Sequence, residues 1–427
     1  MIEYIYKRYT NSFHVTIDSR NVKVGSIFFA LKGENNDGNA FAADALKNGA
    51  VLAVIDNPIY LTQGCVLVDN SLHALQQLAN YHRQRLNTKI FAITGSNGKT
   101  TTKELLFAVL SKKYKTKATI GNLNNHIGVP LTLLSLTPEV EFAIVEMGAN
   151  HPGDIDELCR IAEPDFGLIT NIGRAHLGGF GGFEGVINTK GELYKYLVSK
   201  RETIFYNHQN PILVELLKRY KAQSAIPYSN FVDDCIIDET NTDPFLSLTI
   251  KDKENIAAIQ THLVGNYNVE NVMAAYAVGR YFGVDINSII DAIEKYVPSN
   301  NRSQLIKTQN NTVIMDAYNA NPSSMEHALK NFGKLSYPLK VVILGEMLEL
   351  GEYSTDEHKK IADLASSMNF DKIFLVGKGF ANINGNFHYF DSALDCANYL
   401  RRNPLINATV LVKGSRGVKL EQVINVL

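Results

Sequence analysis

The stretch Lys89–Thr101, KIFAITGSNGKTT, decides the fold of the central part of this chain. After Lys89 its first half is a short apolar and β-branched run, which predicts a buried strand. The residues that follow, Thr101–Tyr114, carry three leucines and a valine at helical spacing and predict a helix. A glycine-containing loop joins the two elements. The order strand, loop and helix predicts an α/β sheet with a phosphate-binding turn at one edge.

The chemistry of this loop favours ATP. Glycines let the backbone turn tightly and point N–H groups at phosphate oxygens, and a helix N-terminus adds positive partial charge. Lys99 can reach the β- and γ-phosphates, and the Thr100 hydroxyl can ligate Mg²⁺. The spacing GxxGKT is shorter than GxxxxGK[ST], which argues against a GTPase or a standard P-loop kinase; an ordinary Asn-Gly turn is the plain alternative. The predicted nucleotide-binding residues of the loop are Gly95, Ser96, Asn97, Gly98, Lys99, Thr100 and Thr101.

Composition excludes several classes of protein. The chain has 427 residues, 45% hydrophobic and 20% charged, with a net charge of −1, so a nucleic-acid partner is not expected. Its four cysteines form no CxxC pair, which argues against a disulfide framework or a thiolate zinc site and for a reducing compartment. The N-terminus does not read as a signal peptide, and no run of about 18 apolar residues predicts a membrane span. We expect a cytoplasmic protein.

Changes of pattern divide the chain into three predicted α/β domains, 1–86, 87–299 and 300–427. The first is a small mixed α/β unit that includes the apolar runs Ser26–Leu31 and Val51–Ile55 and ends in a helix. The second is a P-loop ATPase-like domain with a mostly parallel sheet. The third alternates strands and helices, which predicts a Rossmann-like, doubly wound domain; it has no GxGxxG, so no nicotinamide or flavin site is inferred. Its predicted strands are Thr312–Asp316, Lys340–Gly345, Lys372–Gly377 and Thr409–Lys413, and its predicted helices are Ser324–Phe332, Asp356–Met368 and Ser392–Arg401.

The sequence GSNGKTTTKE, beginning at Gly95, resembles the Mur ligase family, the amide-forming enzymes of peptidoglycan precursor synthesis. The N-terminal motifs Ile17–Arg20, Phe28–Gly33 and Asp37–Asn39 are similar to the UDP-binding domain of these enzymes. The segment Gly121–Pro130 is similar to their loop that faces the muramoyl substrate. The substrate-binding residues that this resemblance implies are Ser19, Arg20, Lys32, Asn124 and Asn125.

The resemblance also implies a metal site. Taken alone, Glu146 would be interpreted as a solvated residue or a helix-cap partner, Lys190 as a surface lysine and His176 as a structural histidine. Their positions in VEMGAN, NTKGE and TNIGRAH match family motifs, which implies two Mg²⁺ ions. Thr100 and Glu146 would hold one ion, and His176 with Lys190, carbamylated by CO₂, would hold the other. The implied catalytic residues are Lys99, Glu146, His176 and Lys190.

Further motifs imply the remaining contacts. Asn271 in GNYNVEN, Arg302 and Asp316 match the residues that bind adenine, phosphate and ribose in the family, although asparagines that cap a helix would give the same pattern. The motifs AYNANPSSM and KGSRG of the third domain imply further substrate contacts. These residues are Tyr318, Asn319, Asn321, Ser415 and Arg416.

The family member expected is an ATP-dependent ligase that joins D-Ala-D-Ala to UDP-N-acetylmuramoyl tripeptide through an acyl phosphate. The domains would close on ATP at a hinge near Val297–Arg302, and the resemblance favours a monomer. The family's amino-acid-adding branch is the runner-up, but its DNPR motif has no counterpart in the third domain. Two further alternatives are a folylpolyglutamate synthase, which the UDP-type domain disfavours, and a nucleotide-gated binding protein without catalysis.

Overall fold

The computed structural model describes residues 1–33, 36–228, 235–242, 244–252, 255–299 and 301–427. Asn300, the first residue of the third predicted domain, therefore lies outside the described residues. The described chain forms three successive units, each built around a sheet with parallel strands. The predicted α/β fold class is confirmed.

The N-terminal unit is a parallel sheet with strand order β1-β2-β3-β4. Its elements are α1 (Ile2–Tyr9), β1 (Val15–Thr16), β2 (Ile27–Phe29), α2 (Ala42–Lys47), β3 (Leu52–Ile55), β4 (Cys65–Leu67) and α3 (Ser71–Arg83). Strands β2 and β3 lie inside the two predicted apolar runs and are fully buried. Helix α3 begins at an Asn70 cap, whose side chain accepts a hydrogen bond from the His73 N–H.

The central unit holds a parallel sheet with strand order β10-β9-β8-β5-β7-β6. Its elements are β5 (Lys89–Thr94), α4 (Lys99–Leu110), β6 (Thr116–Ala118), α5 (Gly128–Leu133), β7 (Phe142–Glu146), α6 (Asp154–Ala162), β8 (Phe166–Ile169), α7 (Leu177–Phe180), α8 (Phe183–Lys200), β9 (Thr203–Asn207), α9 (Pro211–Tyr220) and β10 (Ala225–Tyr228). Strand β5 lies in the middle, between β7 and β8. Since the chain crosses from one side of β5 to the other, the carboxyl ends of these three strands border the crevice where α/β folds bind ligands.

The end of the central unit differs from the pattern expected for a parallel domain. It forms an antiparallel sheet, β11 (Cys235–Thr242), β12 (Phe245–Asp252) and β13 (Asn255–Val264), followed by the helices α10 (Val269–Tyr281) and α11 (Ile286–Glu294). Leu246, Leu248 and Ile250 alternate along β12 and are buried against a core cluster that also includes α10 and α11. This alternation is the sequence signal that would have predicted the strand.

The C-terminal unit is the predicted doubly wound domain, with strand order β14-β15-β19-β16-β17-β18. Its elements are β14 (Gln304–Lys307), β15 (Thr312–Asp316), α12 (Pro322–Lys334), β16 (Lys340–Gly345), α13 (Ser354–Ser367), β17 (Lys372–Val376), β18 (His388–Phe390), α14 (Ala393–Arg402) and β19 (Thr409–Lys413). Only the β14–β15 pair is antiparallel among the pairs described. Separate hydrophobic clusters cover the two faces of the sheet, as a doubly wound fold requires.

The N-terminal and central units share one hydrophobic core cluster, which runs from Ile5 in α1 to Leu217 in α9. Buried polar contacts reinforce it: the Tyr9 hydroxyl donates to the Leu134 carbonyl at 2.7 Å, and His82 Nε2 lies 2.9 Å from the Leu136 carbonyl. Apolar burial is worth about 25 cal/mol per Å², so a continuous core holds two units together far more firmly than a linker would. We therefore expect these two units to move as one body.

No helix among the described residues is long and apolar enough to cross a membrane. Cys65, Cys159 and Cys396 are free thiols, and burial raises the pKa of Cys159 well above its ordinary value. The side chain of Cys235 lies outside the described residues.

Candidate active site

The phosphate loop connects β5 to α4 and depends on two glycines with positive φ, Gly95 at 142° and Gly98 at 79°. A Cβ at Gly95 would come within 2.0 Å of Thr170 Oγ1, and one at Gly98 within 2.6 Å of Asn271 Oδ1. Both positions therefore combine a backbone conformation and a close approach that favour glycine. The loop ends at Lys99, the first residue of α4.

Hydrogen bonds fix the loop against the residues that follow β8. The Ser96 N–H donates to the Asn171 carbonyl and the Asn97 N–H to Asn171 Oδ1, each at 3.0 Å. The Thr170 hydroxyl donates to the Asn97 carbonyl at 2.6 Å, and Ser96 Oγ accepts from Gly173 N–H at 2.9 Å. The loop is thus held in shape without a ligand, which lowers the entropy cost of binding one.

Lys99 folds back over this loop, and its ammonium group donates to the Gly95 carbonyl at 2.6 Å. Burial lowers the pKa of Lys99 below its ordinary value; the charge of Glu146 opposes this shift and that of Arg302 adds to it. A desolvated cation at the start of a helix is well suited to neutralise a phosphate. Thr101, in the same first turn, is partly exposed.

Glu146, at the end of β7, is buried and held by three side chains. The Thr100 hydroxyl donates to Oε2 and the Asn124 amide to Oε1, each at 2.9 Å. The ammonium group of Lys103 lies 3.9 Å from Oε2 and donates to the Thr119 carbonyl at 2.8 Å. Carboxylate and hydroxyl oxygens are the ligands that Mg²⁺ prefers, so this pair fits the predicted first metal position. Lys103 was missed as a functional candidate, although it stands one helical turn after Lys99.

Lys190, in α8, is 2% exposed. Its ammonium group lies 5.3 Å from the ring centre of Phe180, and no acidic side chain of the described residues reaches ion-pair distance. Burial, with the positive charge of Lys99 as the second cause, lowers the pKa of Lys190 well below its ordinary value. The site therefore favours a neutral amine at Lys190.

His176 also lies near Phe180, with their ring centres 6.1 Å apart. Its Nδ1 contacts the carboxylate of Glu349, a C-terminal residue that the sequence analysis did not single out. No group of three or more His, Cys, Asp or Glu side chains that could hold a metal converges within the described ranges. The predicted second metal position consequently depends on a modified Lys190, since His176 alone supplies one ligand.

A cavity of about 400 Å³ opens between the central and C-terminal units. Thr100 and Asn122 line it on one side, and Arg302, Tyr318 and Arg416 on the other. The guanidinium groups lie 3.8 Å (Arg302) and 5.5 Å (Arg416) from the centre of the Tyr318 ring. Two arginines facing a helix N-terminus make this cavity suitable for a polyphosphate.

Asn271 and Asp316, two further predicted nucleotide contacts, are engaged with protein atoms. Asn271 is buried beneath the loop, where its Oδ1 accepts from Thr102 at 3.0 Å. The carboxylate of Asp316 accepts from Lys413 at 2.6 Å and from the Ser303 N–H at 3.3 Å. Asn271 thus lies under the phosphate loop, whereas Asp316 lies at the end of β15.

The remaining C-terminal candidates form the loops around the cavity. Asn319 Oδ1 accepts from the Ala320 N–H at 2.9 Å, and the buried Ser415 Oγ accepts from the Leu348 N–H at 3.1 Å. Asn321 caps α12. These contacts organise the loops, and any contact with a substrate remains a prediction.

The N-terminal candidates lie apart from the phosphate loop, in their own unit. Arg20 is 88% exposed and pairs with Asp18, and Lys32 pairs with Asp56 at 3.1 Å. The Ser19 carbonyl accepts from Asn48 at 3.0 Å. In the adjacent muramoyl-type loop, the exposed Asn125 accepts a hydrogen bond of 2.9 Å from the N–H of Gly128, the first residue of α5.

Asn39 stands at the third position of the Asp37-Gly38-Asn39 motif and is fully buried. Its amide group donates to Asp37 at 2.6 Å and to Asp56 at 2.9 Å, and its Oδ1 accepts from the Asp56 N–H at 2.9 Å. Asn39 consequently arranges the two carboxylates beside Lys32.

Three family models match the chain in succession: "Mur ligase family, catalytic domain" over 13–83, "Mur ligase middle domain" over 93–279, and "Mur ligase, glutamate ligase domain" over 301–416. A UDP-N-acetylmuramoyl-tripeptide–D-alanyl-D-alanine ligase of Bacillus subtilis (strain 168) is 35% identical over 426 residues, covering 96% of this chain and 92% of that protein.

Solved structures show the same relationship as the sequence comparisons. A crystal structure of MurF from Acinetobacter baumannii matches with a TM-score of 0.88 at 31% identity, covering 96% of this chain and 92% of that one. The MurF ligase of Thermotoga maritima in complex with ADP matches with a TM-score of 0.86 at 26% identity, covering 97% and 96%. Similarity over nearly the whole length, in sequence and in fold, shows that the chain belongs to the Mur ligase family.

Proposed function

We propose that the chain is an ATP-dependent ligase that joins D-Ala-D-Ala to UDP-N-acetylmuramoyl tripeptide in peptidoglycan precursor synthesis. The observation that carries this proposal is the group Lys99, Thr100 and Glu146, which stands at the start of α4 beside the interdomain cavity. The full-length similarity to a ligase named for this reaction supports the choice of substrates.

The reaction has two steps. The terminal carboxylate of the tripeptide attacks the γ-phosphorus of ATP, an O–P bond forms, and the bond to the β-phosphate oxygen breaks to give ADP and an acyl phosphate. The amine of D-Ala-D-Ala then attacks the acyl carbon, phosphate leaves and the amine loses a proton. Because carboxylate and γ-phosphate repel one another, the first step needs concentrated positive charge. Lys99 beside the phosphate loop and Arg302 in the lining of the cavity would supply it.

The three domains would divide the work. Residues 1–86 would bind the UDP-linked substrate through Ser19, Arg20 and Lys32, and residues 87–299 would bind ATP. Residues 300–427 would bind the incoming dipeptide and close on ATP about the hinge at 297–302. Tyr318 and Arg416, which line the cavity, are the best placed of the predicted C-terminal contacts. An enzyme with ATP and a UDP-linked substrate is expected to act in the cytoplasm, and we expect a monomer.

Mg²⁺ would be held by Thr100 and Glu146, whose oxygen atoms are 2.9 Å apart, and it would supply charge neutralisation at the β- and γ-phosphates. A second ion would be held by His176 and Lys190. Lys190 fits that role as a carbamate, formed when its neutral amine attacks CO₂ and loses a proton. Its burial without an acidic partner supports the modification, since an unmodified ammonium group there would be uncompensated.

Two alternatives need a direct test. A MurE-type ligase would accept a UDP-muramoyl dipeptide and a free amino acid, and a nucleotide-gated binding protein would release no phosphate. Phosphate release is therefore measured with UDP-muramoyl tripeptide, with and without D-Ala-D-Ala. We expect sustained turnover only with both. Equal turnover with UDP-muramoyl dipeptide and lysine or diaminopimelate would overturn the assignment in favour of the MurE-type reaction.

A further inference from the structure

His176 and Glu349 meet across the interface between the central and C-terminal units. Nδ1 of the imidazole is buried, contacts the Glu349 carboxylate and has no other hydrogen-bond partner among the described residues. Both residues have positive φ, 52° for His176 and 66° for Glu349. Non-glycine residues adopt this conformation infrequently, and it persists where the surroundings hold it in place.

The segments of the two units that carry His176 and Glu349 contact each other at several further points. The Arg174 N–H donates to Ser323 Oγ at 2.8 Å, and the Arg174 side chain lies 3.4 Å from Glu326. A Cβ added to Gly178 would lie 3.1 Å from the Gly351 Cα, so the two backbones touch there. The contact of His176 with Glu349 is therefore part of an extended interface between the domains.

Stability alone does not account for the pair. The Glu349 side chain is 56% exposed and that of His176 is 21% exposed. An ion pair with so much solvent access is worth little. A carboxylate on one ring nitrogen has another effect: it fixes the tautomer and orientation of the imidazole, which in metal sites is the usual role of the second nitrogen's partner.

We propose that Glu349 is a positioning residue that holds His176 as the Nδ1–H tautomer and leaves the Nε2 lone pair available to a metal ion. This rests on the proposed function. Glu349 belongs to the C-terminal unit, so the imidazole is set for ligation only when the two domains are together. Domain closure would thus complete the second metal position as well as cover the nucleotide.

The direct test is ¹⁵N NMR of the histidine side chains in the full-length protein without substrates. His176→Gln identifies the signal of His176. We expect the Nδ1–H tautomer in the wild type and in Glu349→Gln, which keeps an acceptor oxygen, and loss of that tautomer in Glu349→Ala. Glu352→Ala removes an exposed carboxylate three residues away and should leave the signal unchanged. An unchanged tautomer in Glu349→Ala would overturn the proposal.

A second measurement separates this proposal from the proposed function. The Mg²⁺ concentration for half-maximal phosphate release should rise about tenfold or more in Glu349→Ala, because removing the hydrogen-bond partner of a metal-ligating histidine commonly weakens metal binding by that much. In Glu352→Ala it should rise less than about twofold. Equal rises in both variants would contradict the positioning role. Absence of phosphate release in the wild type would instead contradict the ligase assignment, while the NMR result would stand.

Discussion

Nδ2 of Asn321, in the C-terminal unit, donates a hydrogen bond of 2.8 Å to Oδ1 of Asn97 in the phosphate loop. The same side chain caps α12, where its Oδ1 accepts from the Ser324 N–H at 2.9 Å. One asparagine therefore closes a helix in one domain and touches the nucleotide loop of another. This hydrogen bond links the C-terminal unit directly to the phosphate loop.

Replacing Asn321 with serine separates these two roles. Serine caps a helix about as well as asparagine but is too short to reach Asn97, so the free energy of unfolding should change by less than about 0.5 kcal/mol. The lost interdomain hydrogen bond is worth about 0.5–1.5 kcal/mol, which predicts a fall in kcat/KM for ATP of roughly twofold to thirteenfold. Asn321→Ala should lose both stability and activity. Wild-type kinetics in Asn321→Ser would show that the contact is dispensable.

Thr100→Val tests the first metal position. Valine matches threonine in shape but cannot donate to Glu146 or ligate Mg²⁺, so phosphate release should fall on the order of 100-fold. Thr100→Ser keeps the hydroxyl and should retain most of the activity. Circular dichroism checks that both variants are folded. Equal activity in the two variants would mean that the hydroxyl has no part in the reaction.

Arg83 tests whether the N-terminal and central units act as one body. This buried arginine donates to the carbonyls of Ala162 and Glu163 at 3.1 and 3.0 Å and to Asp165 at 2.8 Å. Arg83→Met removes the side-chain donor to these carbonyls and the charge partner of Asp165, so the apparent free energy of unfolding in urea should fall by about 3 kcal/mol. Arg85→Met, at an exposed position two residues later, should change it little. Two separate unfolding transitions in the wild type would contradict the shared core.

The sequence predicted well those elements whose pattern is local. Strands β15, β16 and β19 have the predicted bounds, because each is an apolar run long enough for a buried strand and bordered by polar or glycine residues. The helix after the phosphate loop begins at Lys99 rather than Thr101, since the loop leads directly into it. The antiparallel sheet β11–β13 was missed, although the alternation of apolar residues along its second strand is a local signal.

The residues of the candidate site also fall into those that a local motif predicts and those that only the fold reveals. The loop, Glu146 and Lys190 stand in continuous motifs and were predicted, whereas Lys103 acquires its importance only from its burial beside Glu146. Contacts between domains cannot be read from local pattern at all: Asn97 and Asn321 are 224 positions apart. Glu349 likewise becomes a candidate only when the fold brings it to His176.

Asn39→Ala should weaken binding of the UDP-linked substrate without affecting ATP. Hydrogen bonds from the Asn39 side chain lower the pKa of Asp37 and keep its carboxylate in place; Asp56, the other acceptor, pairs with Lys32. Without the amide, the two carboxylates repel one another and Lys32 loses its orientation. Calorimetry should show a reduced affinity for UDP-muramoyl tripeptide in Asn39→Ala. The affinity of Asn36→Ala, whose exposed side chain is the control, should equal that of the wild type. Unchanged affinity in both variants would show that the orientation of Lys32 by Asn39 has no part in binding the UDP-linked substrate.

Lys190→Ala should reduce catalysis far more than it weakens ATP binding. An ordinary lysine, with a pKa of about 10.4, would repel a neighbouring Mg²⁺, whereas a carbamate reverses the charge and offers oxygen ligands. Acetate or formate should restore part of the activity of Lys190→Ala by filling the vacated position. Lys190→Arg should remain inactive, because a guanidinium group keeps its charge and cannot be carbamylated. Lys195→Ala, an exposed lysine of the same helix, is the matched control and should behave as the wild type.

The modification itself can be observed separately from its effect on catalysis. A protein equilibrated with ¹³C-bicarbonate should show a carbamate resonance that is absent from Lys190→Ala, and high-resolution electron density should show three additional atoms beyond the amine of Lys190. Burial favours this state because it disfavours the ammonium form and leaves a neutral nucleophile for CO₂. We expect the positive charge of Lys99, which lowers the pKa of the Lys190 amine, to attract the carbamate anion. An unmodified Lys190 in the presence of bicarbonate, together with near-normal turnover of Lys190→Ala, would refute the proposal and leave His176 without its partner at the second metal position.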